Sequence, residues 1–184
     1  MDWAWLDRRP IVVAVAGSNG AGKTTFFYTH LADCGLPWVN ADELCAELGV
    51  GAYEGAEIAE ALRRAMLEKR ESFIFETVFS DPVGAKVEVL QEAQEAGYQV
   101  VLIFIRVADV ETSKQRVSMR AAQGGHDVPD EKLATRFPRT LANLERAIKC
   151  LPLVIVFDNS DLTMPYRLEG VWVDGEKMCT AKEA

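Results

Sequence analysis

Short apolar runs alternate along the chain with longer segments in which apolar residues recur every three or four positions. The short runs predict strands buried on both faces, because they lack the polar alternation of a strand with one face in water. The longer segments predict amphipathic helices. The predicted strands are Ile11–Ala16, a short strand that begins at Trp38–Val39 and ends near residues 40–42, Ser72–Glu76, Gln99–Arg106 and Leu153–Phe157.

The alternation of strand and helix predicts an α/β fold of three layers, in which helices cover both faces of a mostly parallel five-stranded sheet. The predicted helices are Lys23–Ala32, Glu43–Leu48, Glu57–Lys69, Pro82–Glu95, a helix capped by Asp109 that runs to Ala122, and helices over Asp130–Lys149. No linker or internal repeat interrupts this pattern. We therefore expect one domain over residues 1–184, with its core at about residues 11–160.

The C-terminal region carries a hairpin signal. Asp174 and Gly175 stand between two short segments, and an Asp-Gly pair favours the two-residue turn of a β-hairpin. We expect a small β ribbon at Gly170–Cys179, within about residues 166–180, in addition to the five-stranded sheet.

Composition narrows the expected partners and location. Hydrophobic residues make up 49% of the 184-residue chain, and its four cysteines are scattered without metal-binding spacing. The net charge of −8 disfavours nucleic-acid binding, which needs a basic face. Asp2 and Asp7 flank the N-terminal tryptophans, and the apolar runs are too short to span a bilayer. We therefore expect no signal peptide and no membrane contact, and a cytoplasmic location.

A glycine-rich turn between the first predicted strand and the first predicted helix matches the P-loop pattern G-x-x-x-x-G-K-[ST]. Such a turn directs successive backbone N–H groups at phosphate oxygens, and the helix that follows adds the positive end of its dipole. We expect Lys23 to reach the β- and γ-phosphates of ATP and the Thr24 hydroxyl to ligate Mg²⁺. The predicted nucleotide-binding residues are Gly17, Ser18, Asn19, Gly20, Ala21, Gly22, Lys23, Thr24 and Thr25.

P-loops occur in several classes of protein, so other residues must distinguish among them. The chain has no Leu-Ser-Gly-Gly-Gln transporter signature and no Asn-Lys-x-Asp guanine signature, and no apolar strand ends in an Asp-Glu pair. These absences disfavour transporter subunits, switch GTPases and motor ATPases. The class that fits best is an ATP-dependent kinase that phosphorylates a hydroxyl of a small molecule.

Two carboxylates follow predicted strands at the edge of the sheet where parallel-sheet enzymes bind their ligands. Asp42 comes after the second strand, and Glu76 ends the third. We expect Asp42 to accept the proton of the acceptor hydroxyl and to bind Mg²⁺ through water. Glu76 and Thr77 are expected to hold the acceptor by hydrogen bonds. The structural alternatives are an N-cap role for Asp42, on a helix that begins at Glu43, and a salt bridge for Glu76.

A basic segment lies in this otherwise acidic chain, since residues 106–149 contain nine Lys or Arg against six Asp or Glu. Arg116 and Arg120 share one helix face, where a bound anion would offset their mutual repulsion. Together with Arg136 and Arg139 of the next helix, they are expected to stabilise the charge of the transferred phosphoryl group. The alternative is a solvated helix face.

The loop between these two helices begins with Gly124–Gly125, which predicts a flexible joint such as a lid over ATP requires. His126 is expected to orient this lid. It is not expected to bind metal, because no second His or Cys stands at a suitable spacing.

The succession of motifs resembles the zeta-toxin family of P-loop kinases, in particular its shorter bacterial branch. The similar blocks lie within about Ile11–Ser160 and are AGSNGAGKTT, WVNADEL, SFIFETVFS, GGHDVPDEKLATRFPRTLANL and FDNS. The resemblance implies a P-loop kinase sheet with helices on both sides. It also implies ATP-dependent phosphorylation of UDP-N-acetylglucosamine at the sugar 3′-hydroxyl, and an antitoxin protein as partner.

Several residues match the family's motifs by position. The resemblance implies that Lys23 and Thr24 contact phosphate and magnesium, that Asp42 is the catalytic aspartate, and that Glu76 binds substrate with Thr77 beside it. The family has two arginines that contact phosphate. The resemblance implies that Arg116 is one of them. Arg120 and Arg136 are alternatives for the other, because the lid of this chain differs in length.

Three hypotheses follow for function. The first is a zeta-like kinase of a small hydroxylated acceptor, with UDP-N-acetylglucosamine as the first candidate. The second is a housekeeping kinase of another metabolite, such as a nucleoside, a sugar or a cofactor precursor. The third is an ATP-sensing module without an acceptor, which the carboxylates and the arginines disfavour.

Overall fold

Seven strands form one sheet in the computed structural model of the chain, which describes residues 4–125 and 127–178. Strands β1 to β7 are Ile11–Ala16, Trp38–Val39, Phe73–Thr77, Gln99–Arg106, Leu153–Asp158, Arg167–Val173 and Glu176–Met178. Their spatial order is β2-β3-β1-β4-β5-β6-β7. Strands β2, β3, β1, β4 and β5 are parallel, and β6 and β7 are added antiparallel at the β5 edge. The predicted α/β sheet is confirmed, with seven strands rather than five because the ribbon continues the sheet.

Six α-helices connect and cover the strands within the described residues. Helices α1 to α6 are Lys23–His30, Ala41–Leu48, Ala52–Glu68, Ala85–Glu95, Val110–Ala122 and Asp130–Cys150. Short 3₁₀ turns are found at Ala4–Asp7 and Ala32–Cys34. Asp109 caps α5 as predicted, since its Oδ1 accepts a hydrogen bond from the Thr112 amide at 2.7 Å. None of the described helices is both long and apolar enough to cross a membrane.

Helix α4 begins three residues later than predicted, because an aspartate rather than a proline sets its start. The Asp81 Oδ1 atom accepts hydrogen bonds from the Gly84 amide at 2.5 Å and from the Ala85 amide at 2.6 Å. These bonds satisfy backbone donors that have no partner within the helix. Pro82 therefore lies in the loop before α4 and does not open the helix.

The C-terminal ribbon is present and lies in the sheet. Strands β6 and β7 are joined at Asp174 and Gly175, whose φ angles of 48° and 84° give the positive-φ pair of a tight hairpin turn. Strand β6 begins at Arg167, which is three residues before Gly170 and within the predicted region of about residues 166–180. Cys179, the predicted last residue of the ribbon, lies outside the described residues.

Each face of the sheet has its own apolar core. One face of β1 places Val12, Ala14 and Ala16 against side chains of α3, α4 and α6. The opposite face packs against α1, mainly through Phe26 and Phe27. Both faces of the parallel strands are therefore covered, which explains why these strands are apolar throughout and lack alternation.

The register of the parallel strands positions the candidate site. Val15 of β1 pairs with Glu76 of β3, so the carboxylate reaches the end of β1 where the glycine-rich turn begins. Val39 of β2 pairs with Phe75 of β3, so Asn40 follows beside Glu76. Three strand ends thus bring their polar residues to the same edge of the sheet, where ligands bind in α/β proteins.

The loop between β3 and α4 is held from α6 by a buried asparagine. Asn143 Nδ2 donates to the Phe79 carbonyl at 3.0 Å, to the Asp81 carbonyl at 2.8 Å and to Asp81 Oδ2 at 3.2 Å. Asn143 is 1% exposed, so these bonds satisfy backbone groups that water cannot reach. The loop directly follows Glu76 and Thr77, so Asn143 supports the candidate site from behind.

We expect Asn143→Leu to lower the free energy of unfolding by roughly 2–5 kcal/mol. The substitution leaves the carbonyls of Phe79 and Asp81 without their donor, at about 1–3 kcal/mol for each buried group. Urea unfolding followed by circular dichroism measures the change. Glu145→Gln, at an exposed position of the same helix, is the control and should stay within about 0.5 kcal/mol of wild type. A wild-type midpoint for Asn143→Leu would contradict this structural role.

Candidate active site

The glycine-rich turn occupies residues 17–22 between β1 and α1, and α1 begins at Lys23. The structure therefore gives the sequence motif the strand–turn–helix context that a P-loop requires. The Lys23 side chain is 5% exposed, and its Nζ donates to the Ser18 carbonyl at 3.0 Å. Thr24 is the second residue of α1 and is partly buried, whereas Thr25 is exposed.

The Glu76 carboxylate joins three side chains at the strand ends. Its Oε1 lies 3.5 Å from Lys23 Nζ. Its Oε2 accepts hydrogen bonds from Thr24 Oγ1 at 2.7 Å and from Asn40 Nδ2 at 2.9 Å. The structure thus brings Lys23, Thr24 and Glu76 together, as the expectation of a shared site requires. Glu76 therefore forms the salt bridge that was considered as its structural alternative, and it does so with Lys23 of the P-loop.

Asn40, rather than Asp42, caps helix α2. Its Oδ1 accepts hydrogen bonds from the Asp42 amide at 2.8 Å and from the Glu43 amide at 3.3 Å. The helix begins at Ala41 rather than Glu43, so the N-cap alternative considered for Asp42 was wrong. Asn40 is 4% exposed and connects the cap to Glu76. Asn at the end of a strand and before a helix was the signal in the sequence that identifies this cap.

Asp42 lies in the first turn of α2 at the same edge of the sheet. Its side chain is exposed, and no hydrogen bond or ion pair joins its carboxylate to another side chain of the described residues. The carboxylate is therefore available to a ligand. Asp42 is tied to the rest of the site through the backbone, since its amide bonds to Asn40 and Asn40 bonds to Glu76.

The four predicted arginines lie on two helices, α5 and α6. Arg116 of α5 donates through Nη2 to the Ser160 carbonyl at 3.0 Å, which holds it beside the end of β5. Arg120 lies one turn further along α5 and is partly buried. Arg136 lies on α6, close enough to the Lys86 ammonium to repel it and lower its pKa. Arg139 is exposed.

The Gly124–Gly125 pair closes the end of α5. The Gly125 amide donates to the Arg120 carbonyl at 3.0 Å and the Gly124 amide to the Ala121 carbonyl at 3.0 Å, the paired bonds of a Schellman motif. Gly124 has a φ of 88°, which a residue with a side chain adopts only with strain. These glycines therefore define where the helix ends. His126, the predicted lid residue, lies outside the described residues.

Lys86 is a site residue that sequence reasoning missed. Its Nζ donates to Thr77 Oγ1 at 2.7 Å, and this oxygen also accepts from the Phe79 amide at 3.2 Å. Burial lowers the pKa of the Lys86 ammonium, and the nearby Arg63 guanidinium lowers it further. The sequence held no motif around Lys86, because its position depends on where α4 begins relative to the end of β3.

A groove runs from this lysine along the sheet between α3 and α4. Its volume is about 330 Å³, and its floor is made of apolar side chains that include Val12, Phe73 and Phe75. Arg63 and Lys86 line its rim, and the Arg63 guanidinium lies 5.1 Å from the centre of the Phe75 ring. Glu60, Asp81 and Glu92 line the groove as well, and Glu60 Oε2 accepts a hydrogen bond from Arg63 Nη2 at 2.6 Å. The groove therefore offers apolar surface bordered by side chains of both charges.

The predicted magnesium site fits the donors that are present. Within residues 4–125 and 127–178, no group of three or more His, Cys, Asp or Glu side chains is arranged to hold a metal ion. Mg²⁺ at nucleotide sites needs only one or two protein oxygens, because phosphates and water supply the rest. The Thr24 hydroxyl donates a hydrogen bond to Glu76, so the lone pairs of its oxygen remain available to a cation.

The sheet order and the strand–turn–helix context of the glycine-rich turn define a protein with the P-loop kinase fold. Residues 50–170, more than half of the chain, match the family model described as Zeta toxin. The chain therefore belongs to the zeta toxin family. The matched range begins after the P-loop, so the motif and the family match are independent observations. No curated protein matches the chain.

Solved structures share this fold at low sequence identity. The AvrRxo1-ORF1:-ORF2 structure with ATP matches with a TM-score of 0.73 and 18% identity over 96% of this chain and 62% of that one. A putative kinase from Chloroflexus aurantiacus matches with a TM-score of 0.58 and 22% identity over 85% and 92% of the two chains. The PezAT toxin–antitoxin system of Streptococcus pneumoniae matches with a TM-score of 0.58 and 16% identity over 96% and 77%.

These likenesses concern the fold. At 16–22% identity they establish the arrangement of strands and helices. The chain spans 62% of the length of the AvrRxo1 chain that it matches.

We expect Asn40→Asp to destabilise the protein more than Asn40→Ser does. Both substitutions retain an oxygen that can cap α2, but both remove the N–H donor to Glu76. Aspartate in addition places a second carboxylate against Glu76, and we expect a loss of roughly 1–3 kcal/mol in the free energy of unfolding at pH 7. Urea unfolding of the three proteins measures the order. Equal stability of the two variants would show that a second carboxylate beside Glu76 costs nothing and would contradict the prediction.

We expect Lys86→Met to be as stable as wild type at pH 7 or up to about 1 kcal/mol more stable, because it removes a partly desolvated charge. In the wild-type protein the folded state holds the Lys86 proton less tightly than the unfolded state, whose pKa is the ordinary 10.5. Stability contributed by Lys86 therefore rises with pH toward 10.5, and the advantage of Lys86→Met should shrink. Urea unfolding from pH 7 to pH 9.5 measures this, with Lys132→Met at an exposed position as control. A loss above 1 kcal/mol at pH 7 would contradict it.

Proposed function

We propose that this protein is a phosphotransferase that moves the γ-phosphate of ATP to a hydroxyl of a small molecule. The proposal depends on the direct contact between P-loop residues and the Glu76 carboxylate at the end of β3. Glu76 contacts Lys23 at 3.5 Å and Thr24 at 2.7 Å, and Asn40 connects it to the start of α2. A module that only binds nucleotide needs no carboxylates at this place. Membership of the zeta toxin family supports the same activity.

The proposed mechanism assigns one task to each side chain. Lys23 neutralises charge on the β- and γ-phosphates, and the Thr24 hydroxyl holds Mg²⁺, which when bound neutralises further phosphate charge. The exposed Asp42 carboxylate accepts the proton of the attacking hydroxyl. Arg116 is anchored to the Ser160 carbonyl and stabilises charge on the transferred group. Arg120 and Arg136 remain alternatives for the second arginine.

We propose that the acceptor is bound between Glu76 and the groove beside α3 and α4. Lys86 lines that groove and donates to Thr77 at the carboxyl end of β3, so one end of the groove reaches the edge of the sheet that carries the proposed transfer site. Its apolar floor suits a flat ring, and the basic and acidic side chains at its border suit hydroxyl groups. UDP-N-acetylglucosamine has this chemistry and is the first candidate because of family membership. Another metabolite of the same chemistry would satisfy the same contacts.

The biological role proposed with this activity is that of a toxin with a protein antitoxin. The support is family membership and the shared fold with the PezAT toxin–antitoxin system. Expression in a bacterial host tests this role, because a toxin arrests growth and its antitoxin restores it. Normal growth with active enzyme would favour a metabolic kinase.

We expect Asp42→Asn to lower phosphoryl transfer by at least about 100-fold while MgATP affinity stays near the wild-type value. The substitution removes the proton acceptor and leaves the P-loop unchanged. The measurement is transfer of label from γ-labelled ATP to a panel of sugars, nucleosides and nucleotide sugars that includes UDP-N-acetylglucosamine. Calorimetric titration with MgATP measures binding in parallel.

Glu47→Gln is the matched control, because Glu47 is an exposed carboxylate further along the same helix. It should retain wild-type transfer. Normal turnover by Asp42→Asn would remove Asp42 from the mechanism. If the wild-type protein binds MgATP but labels no acceptor of the panel, the ATP-sensing alternative gains and the kinase proposal fails.

A further inference from the structure

Three carbonyl groups of the P-loop accept hydrogen bonds from side chains outside it. Ser113 Oγ of α5 donates to the Asn19 carbonyl at 2.6 Å. Asn159 Nδ2, just after β5, donates to the Ala21 carbonyl at 2.8 Å. The Tyr166 hydroxyl, just before β6, donates to the Gly22 carbonyl at 2.9 Å. The three donors come from α5 and from the two ends of the connection between β5 and β6, and they approach the P-loop from outside.

Because the peptide bond is planar, a hydrogen bond that fixes the direction of a carbonyl group also fixes the direction of the N–H group in the same peptide. In a trans peptide, the C=O of one residue points away from the N–H of the next. Holding the carbonyls of Asn19, Ala21 and Gly22 outward therefore fixes the direction of the N–H groups of the residues that follow them. These are the N–H groups of Gly20, Gly22 and Lys23. In a P-loop such N–H groups are the ones that bind phosphate.

The donors are placed where packing holds them firmly. Ser113 is 1% exposed and Asn159 is 3% exposed. The ring of Tyr166 lies 5.2 Å from the Phe26 ring and 5.5 Å from the His30 ring. Burial raises the pKa of Tyr166, so its hydroxyl keeps its proton and remains a donor. The P-loop is thus held against groups that have little freedom to move.

Two of these residues are placed at some expense to stability. The Oδ1 atom of Asn159 is buried and accepts no hydrogen bond from the described residues, a condition that costs free energy. Tyr166 has a φ of 55°, in the left-handed region that favours glycine. Stability of the fold alone does not explain a half-paired buried amide and a strained tyrosine, and such features are concentrated at functional sites.

The close fit at Gly22 shows how near these donors come to the P-loop. A Cβ atom at residue 22 would lie 2.7 Å from Asn159 Nδ2 and 2.9 Å from the Tyr166 hydroxyl. Gly22 also has a φ of 93°, so glycine is required here both for the backbone conformation and for the approach of the two donors. The Gly22 carbonyl accepts from the Phe26 amide of α1 as well, at 2.9 Å.

We propose that Ser113, Asn159 and Tyr166 are positioning residues for nucleotide binding, which set the phosphate-binding N–H groups of the P-loop by holding its carbonyls outward. This inference rests on the proposed function, since it presumes that the P-loop binds the phosphates of a nucleotide. It adds residues from α5 and from the connection between β5 and β6 to the nucleotide site. The proposed action of the three donors is on the carbonyl groups of the P-loop.

Three variants that remove only the donors test the inference, namely Ser113→Ala, Asn159→Leu and Tyr166→Phe. Tyr166→Phe retains the ring contacts with Phe26 and His30 and loses only the hydroxyl. The measurement is the Kd of the full chain for MgADP and for inorganic tripolyphosphate by titration calorimetry. Each variant should raise both Kd values by roughly 3- to 10-fold, the loss that corresponds to one hydrogen bond.

The two ligands and two controls separate positioning from stability. A loss that is equal for MgADP and tripolyphosphate places the effect at the phosphates and not at the nucleoside. Titration under native conditions reports on folded protein, so a variant that merely lowers the free energy of unfolding keeps the wild-type Kd. Ser118→Ala, exposed on the same helix as Ser113, and Tyr53→Phe, which is 83% exposed, should bind both ligands as wild type does.

Each outcome decides the inference. Wild-type affinity for both ligands in all three variants would overturn it while leaving the proposed function intact. A loss for MgADP without a loss for tripolyphosphate would overturn it as well, because the effect would then lie at the nucleoside. If the wild-type protein binds neither ligand, the proposed function fails and the inference fails with it.

Discussion

The parallel pairing of β1 with β3 is the constraint on which the candidate site depends. Because Val15 lies opposite Glu76, the strand that leads into the P-loop and the strand that carries the carboxylate end at the same height. A shift of one residue in this pairing would turn the Glu76 side chain to the other face of the sheet. The apolar cores on both faces oppose such a shift, since it would move Phe73 and Phe75 into the core that Ile74 fills and would turn Glu76 toward the opposite core.

The P-loop is stabilised from both sides of this arrangement. On the inner side, the Glu76 carboxylate lies 3.5 Å from Lys23 Nζ and accepts a hydrogen bond from the Thr24 hydroxyl, so both side chains are already ordered. On the outer side, side chains from α5 and from the β5–β6 connection occupy its carbonyl groups. A loop whose donors are fixed before binding loses less conformational entropy when it takes up an anion. This preorganisation explains why residues that are distant in sequence form hydrogen bonds with the eight-residue P-loop.

Much of the fold could be predicted from the sequence, because it depends on local patterns. The apolar runs predicted four of the five parallel strands within one residue, β2 ended one to three residues before its predicted end, and Asp109 marked the start of α5. The P-loop was identified in the same way, from glycine spacing between a strand and a helix. What escaped prediction depends on contacts between distant elements. Lys86 meets Thr77 only because Asp81 sets the start of α4, and Asn159 meets Ala21 across 138 positions of the chain.

The lengths of the outermost strands have a consequence for solubility. Strand β2 has two residues and β7 has three, and these are the two borders of the described sheet. An exposed border offers unpaired N–H and C=O groups on which another chain can add a strand, and the number of such groups grows with strand length. Borders this short give a second molecule little to pair with. The C-terminal ribbon thus replaces the longer, strongly apolar edge of β5 with a terminal strand that discourages fibrous association.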